Sequence, residues 1–214
     1  MAKKKILLMS DDLRMSSGVG TMSKEFVLGT AHHYDWIQIG GAIKHPDAGK
    51  IIDMNQAIRE ETGIEHSYLK IYPVDGYGNP EQLRQIMQME KPDAIMHYTD
   101  PRFWMWLYDM EHEIRQHIPI FYYNIWDDWP APQYNEFFYE SSDLIMNISK
   151  QSVAIVKEVA KTTPRTDWDC TYIPHGISEK YFKTVTDEKE KKLVESTKKR
   201  LTDSEVEFVV FYNN

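Results

Sequence analysis

Short apolar runs alternate with stretches of helical spacing along the whole chain, and that alternation constrains the fold more than any other feature of the sequence. Lys5 to Met9, Asp35 to Ile39, Ser67 to Tyr72, Ala94 to His97, Pro119 to Tyr123, Leu144 to Ile148, Thr171 to Ile173 and Glu207 to Tyr212 read as strands. Helix starts lie between them. Asn79-Pro80 opens a helix carrying Leu83, Ile86 and Met87, and Asp100-Pro101 opens one carrying Trp104, Leu107, Tyr108 and Ile114. Ser149 caps a third, bearing Val153, Ile155, Val156 and Val159. This order predicts an α/β fold, a doubly wound and largely parallel sheet of Rossmann-like type. Asp187 to Arg200 interleaves charges of both signs and reads as a solvated helix.

A chain of 214 residues holds one domain or at most two small ones, and 42% hydrophobic with 13% aromatic content is ample for one packed core. The net charge of −8 argues against bulk attraction to nucleic acid or to an anionic membrane. Cys170 is the single cysteine, which excludes an internal disulfide and fits a reducing, cytoplasmic compartment. Lys3 to Lys5 followed by Ile6 to Met9 resembles the start of a signal peptide, but the apolar run breaks at Ser10-Asp11-Asp12 and reads as a first strand. No run approaches the roughly 20 apolar residues of a membrane span.

Four constellations can carry chemistry. The loop Ser10 to Gly20 follows the first strand and ends in glycines that open a helix, where backbone N–H groups can meet a phosphate; it reads equally as a flexible loop with a helix start. It fails as a dinucleotide fingerprint because Ser23 occupies the third glycine position, which disfavours an NAD enzyme. His97 ends the fourth strand, placed as a base, as a partner for a sugar hydroxyl, or as a satisfied structural histidine. Asp100 before Pro101 has the plainer role of helix N-cap. Asn124, Trp126, Asp127, Asp128 and Trp129 end the fifth strand and combine flat apolar faces with hydrogen-bonding groups, the mixture that sugars require. A buried aromatic cluster would show the same composition. Tyr172-Ile173-Pro174-His175-Gly176-Ile177 reads on its own as a turn.

In this order the segments resemble family 4 glycosyltransferases of the GT-B fold. The resemblance rests on Ser17-Gly18-Val19-Gly20 leading into a helix like Met22 to His33, and on Pro92-Asp93-Ala94-Ile95-Met96-His97. It continues through Ile118 to Trp129, the serine-led helix Ser149 to Lys161, and Tyr172 to Ser178 with Phe182 following. It implies a retaining, metal-independent transferase with no cofactor beyond a nucleotide-diphospho-sugar co-substrate. Residues 1–180 would form the N-terminal, acceptor-side half of the GT-B fold. Residues 181–214 would be a linker helix and the first strand of an incomplete donor-binding domain, leaving this chain inactive alone.

The resemblance further implies that Gly18, Val19 and Gly20 face the donor diphosphate. His97 and Asp127 would be the catalytic groups, and Asn124, Trp126, Asp128 and Trp129 would bind an acceptor of unspecified class. Trp126 stands where the family commonly has histidine, which shifts the catalytic expectation toward Asp127. The terminal strand, at 205–212, would offer an edge to a separate C-terminal half or to a second copy. The alternative function is a non-catalytic sugar- or protein-binding module derived from such a domain.

Overall fold

Every residue of β1 (Lys4–Asp11) from Ile6 onward is buried, so the strand has no solvent-facing side, as expected of the centre of a parallel sheet. The computed structural model describes residues 3–42, 44, 46–161, 164–179 and 182–202. The expected strand Glu207 to Tyr212 lies outside them. The chain divides between His175 and Gly176 into two units.

In the first unit β1 is followed by α1 (Gly18–Thr30), β2 (Tyr34–Gly41), β3 (Ile52–Asp53), α2 (Asn55–Thr62), β4 (Leu69–Pro73), α3 (Pro80–Glu90) and β5 (Ala94–Tyr98). A 3₁₀ turn at Pro101–Trp104 then leads to α4 (Met105–Asp109), α5 (Glu111–Ile114), β6 (Ile120–Asn124), α6 (Glu136–Glu140), β7 (Leu144–Asn147), α7 (Lys150–Val159) and β8 (Cys170–Tyr172). The sheet order is β3-β4-β2-β1-β5-β6-β7-β8. All pairings are parallel except that of β3 at the edge, which runs antiparallel to β4.

Helices cover both faces, the doubly wound arrangement. Val27 of α1 and Ile58 of α2 pack with Ile6, Leu8, Trp36 and Met96 on one face. On the other face Leu83 and Ile86 of α3, Leu107 and Tyr108 of α4 and Ile114 of α5 pack with Leu7, Met9, Ile37 and Ile95. Side chains of α7 and β8 extend this second layer around Tyr122, Tyr139 and Ile145.

Local chemistry sets the helix ends. The Ser17, Asn79 and Ser149 side chains accept hydrogen bonds from the N–H groups of Gly20, Gln82 and Ser152, while α2 stops at Gly63 with φ +70°. The Ser17 cap starts α1 four residues ahead of the expected Met22. The expected continuous helix from Asp100-Pro101 to Ile114 is instead broken into the 3₁₀ turn, α4 and α5. A straight helix would turn Met110 away from the side bearing Trp104 and Tyr108; the breaks bury all three.

In the second unit α8 (Glu188–Thr202) begins where Asp187 Oδ1 accepts from the N–H groups of Lys189 and Glu190, and none of its residues is buried. The charge pattern anticipated such a solvated helix.

Candidate functional site

In open α/β sheets, ligands bind beyond the C-terminal strand ends where the winding reverses. Here that point lies between β1 and β5, because the connection after β1 runs over one face and that after β5 over the other.

Two glycines at the end of β2 clear space around this point. A Cβ at Gly40 would lie 2.9 Å from Asp12 Oδ2, and one at Gly41 would lie 2.8 Å from Gly76 O, 3.2 Å from Trp104 Cζ2 and 3.3 Å from Tyr77 Cδ1. The strand tip carries no side chain there, so Asp12, Tyr77 and Trp104 close over it.

Asp11, the last residue of β1, is only 9% exposed. Its Oδ2 accepts from Ser17 Oγ at 3.2 Å, and the Thr99 hydroxyl also bonds the carboxylate. Burial raises its pKa above the ordinary carboxylate value, and the two hydroxyl bonds oppose that shift.

The two loops that flank the crevice carry the same clip. In Asp12-Leu13-Arg14 the Arg14 backbone N–H and Nε each lie 2.9 Å from Asp12 Oδ1, with Nη2 2.7 Å from Oδ2. In Asp100-Pro101-Arg102 the corresponding distances are 2.9, 3.0 and 2.5 Å. Arg14 Nη1 also reaches Asp47 at 3.6 Å. Both guanidiniums are thus matched to neighbouring carboxylates, and among the described residues no cation forms an ion pair with Asp11.

Aromatic rings rim the crevice. Phe103 stacks on Tyr77 with centroids 4.8 Å apart and planes 6° apart, and Tyr77 meets Trp104 edge-on at 5.5 Å. The charges of Asp11 and Asp100 add to burial in raising the Tyr77 pKa. The Arg102 guanidinium lies 4.9 Å from the Trp126 ring centroid, and Tyr134 packs against the same indole. His175 lies against Tyr98 and Tyr123, its Nε2 3.4 Å from the Tyr98 hydroxyl, and burial lowers its pKa.

Several residues expected at the site are placed elsewhere. His97 is fully buried: Nδ1 lies 2.7 Å from the Tyr108 hydroxyl, and the ring stacks on Tyr122 at 5.3 Å between Trp104 and Tyr108. Desolvation pushes its pKa down to about 3, which favours the neutral ring. His97, expected as a catalytic base, thus sits in the core, and its Nε2 makes no hydrogen bond among the described residues. Asn124 is also fully buried, donating to Asn147 Oδ1 at 2.9 Å and accepting from Trp126 N at 3.1 Å. It ties the ends of β6 and β7 together.

The glycine loop separates into three roles. Gly20 is buried, and a Cβ there would lie 2.8 Å from Met15 O and 3.0 Å from Asp12 O, so this glycine serves the loop closure. Val19 packs on the core, whereas Gly18 is exposed with open space around it. Asp127 and Asp128 are exposed, and the Asp127 carbonyl accepts from Gln151 Nε2 at 2.7 Å. Trp126 is half-buried, while Trp129 is 67% exposed.

Tyr77, Phe103 and the arginines of the two clips were not singled out by the sequence pattern, while Asp11, Asp100 and His175 lay in segments read as a loop, a helix cap and a turn. The repeated Asp-x-Arg after two strands and the Gly-Gly after a third were the available signals. Among the described residues no three His, Cys, Asp or Glu side chains are grouped closely enough to hold a metal ion, and no helix is long and apolar enough to cross a membrane. The chain matches no protein-family model and no curated protein.

Proposed function

We propose that the Met1–His175 unit is the acceptor-side domain of a glycosyltransferase that uses a nucleotide-diphospho-sugar. One observation carries this reading: aromatic rings and a preorganised carboxylate share the C-terminal edge at the winding reversal. Sugars bind through C–H faces on aromatic rings and hydroxyls on fixed acceptors. The ordered resemblance to retaining transferases supplies the reaction class. In this reading Trp126 and Trp129 carry the acceptor, Asp127 and Asp128 accept from its hydroxyls, and Gly18 marks the exposed helix start nearest a donor diphosphate.

A second reading, a sugar-binding module without turnover, is favoured by two features. His97 is enclosed, and the Asp11 carboxyl already occupies the α1 N-terminus through Ser17, where a diphosphate would be placed.

Thermal denaturation with UDP-, GDP- and ADP-sugars and, separately, with free glycans separates the two. A ligand at 100 times its Kd adds about 2.7 kcal/mol of stability, which is readily seen as a rise in Tm. The transferase reading expects one nucleotide sugar to raise Tm, with no sugar lost to an acceptor from this acceptor-side unit alone. A rise with free glycans but with no nucleotide sugar would leave the binding module.

A further inference from the structure

We propose that the Tyr77–Phe103 ring stack and the Asp11 carboxylate form a subsite for an uncharged sugar ring, one that discriminates against phosphorylated sugars. The inference rests on the sugar-handling reading above and names the substrate class of that crevice.

The turn Pro101–Trp104 places two neighbouring aromatics in opposite environments. Trp104 is fully buried, whereas Phe103 is 54% exposed. Phe103 nevertheless has a defined plane, because it lies parallel to Tyr77 and Tyr77 is braced edge-on by Trp104. The gap left by Gly41 lets the bracing rings reach over the tip of β2. An immobilised, half-exposed ring is a surface on which the C–H face of a pyranose can stack without ordering the protein further.

Charge decides the kind of sugar. Asp11 pairs with Gly41 across β1 and β2, and a Cβ at Gly41 would lie 3.3 Å from Tyr77 Cδ1, so carboxylate and ring stack belong to one locality. Arg102 is held by Asp100, and Arg14 by Asp12 and Asp47, so neither guanidinium is left unmatched for an incoming phosphate. Asp11, oriented by Ser17 and Thr99, has two carboxyl oxygens and so spare acceptor capacity for ring hydroxyls. A phosphate at the same place would meet like charge in a poorly solvated setting.

Saturation-transfer NMR on the full chain, with methyl α-glucoside, methyl α-galactoside, methyl α-mannoside and glucose 1-phosphate as probes, tests the proposal. At least one methyl glycoside is expected to receive saturation at its ring C–H protons and to bind more tightly than glucose 1-phosphate. Phe103→Ala and Asp11→Asn should each weaken that binding about tenfold. Phe103→Leu, which keeps apolar bulk at an exposed position but removes the aromatic face, should weaken it as well. Trp168→Ala, which removes a 91% exposed indole in the loop before β8, should leave it unchanged.

Absence of transfer to every methyl glycoside overturns the proposal. Equal affinity in the parent and both Phe103 variants does so too, as does tighter binding of glucose 1-phosphate. If the glycoside binds as expected and no nucleotide sugar shifts Tm, the subsite stands and the transferase reading falls. If a nucleotide sugar binds while Phe103 proves irrelevant, the reverse holds.

Discussion

Two buried side chains give the protein a legible response to acid. His97 has its pKa pushed down to about 3 by desolvation, so folding lowers its affinity for a proton. Its contribution to stability is complete above the unfolded value of 6.5 and is lost as pH falls from there toward 3. Glu90 is buried among the Tyr72 hydroxyl at 2.6 Å, Lys70 Nζ at 3.1 Å and Lys5 Nζ at 3.2 Å. Burial opposes its ionisation, but these partners prevail and hold its pKa near 2, so its contribution is lost only as pH falls from 4.5 toward 2. Urea unfolding across pH is therefore expected to show two successive losses. Each group supplies a slope of at most about 1.4 kcal/mol per pH unit. His97→Phe should flatten the first limb alone, and an unchanged slope would mean that His97 is not titrating. Glu90→Gln should flatten the second and cost on the order of 3 kcal/mol at neutral pH, since it leaves two lysines around an uncharged amide.

At the scale of elements, the β1–α1 connection separates a structural glycine from an open one. Gly20→Ala would drive a Cβ against the carbonyl oxygens of Met15 and Asp12, which are backbone atoms and yield only if the loop moves. It is expected to cost about 1–3 kcal/mol in denaturant unfolding. Gly18→Ala meets nothing within 4 Å and should leave stability within about 0.5 kcal/mol of the parent, or raise it. Equal losses at the two positions would refute the distinction. If an anion does approach this helix start, Gly18→Ala should weaken it without affecting the fold, a separation that Gly20→Ala cannot offer.

For the whole molecule, hydrogen exchange should follow the sheet order. Amides of β1, β5 and β6 lie at the centre of the eight-stranded sheet and are expected to exchange most slowly, through global opening. Amides of α8, a helix of 15 residues with none buried, should exchange fastest among the described helices, because an isolated helix of that length is marginal in water. Protection of α8 equal to that of β1 would show that it is held by packing absent from these contacts.

The sequence by itself determined the alternation of strands and helices, the caps at Asn79, Asp100 and Ser149 and the solvated charge-rich helix, because each follows from local periodicity or from a side chain bonding its own backbone. Only the tertiary structure decided which strand-end residues meet solvent. β5 is buried on both faces, so no alternation along Ala94–Tyr98 distinguishes a core-facing His97 from a crevice-facing residue. His97 and Asn124, chosen for their chemistry, became core, while Asp11, Phe103 and His175 came to the crevice from distant parts of the chain. The strand order brings β1 beside β5, and that long-range pairing is not written in the spacing of either segment.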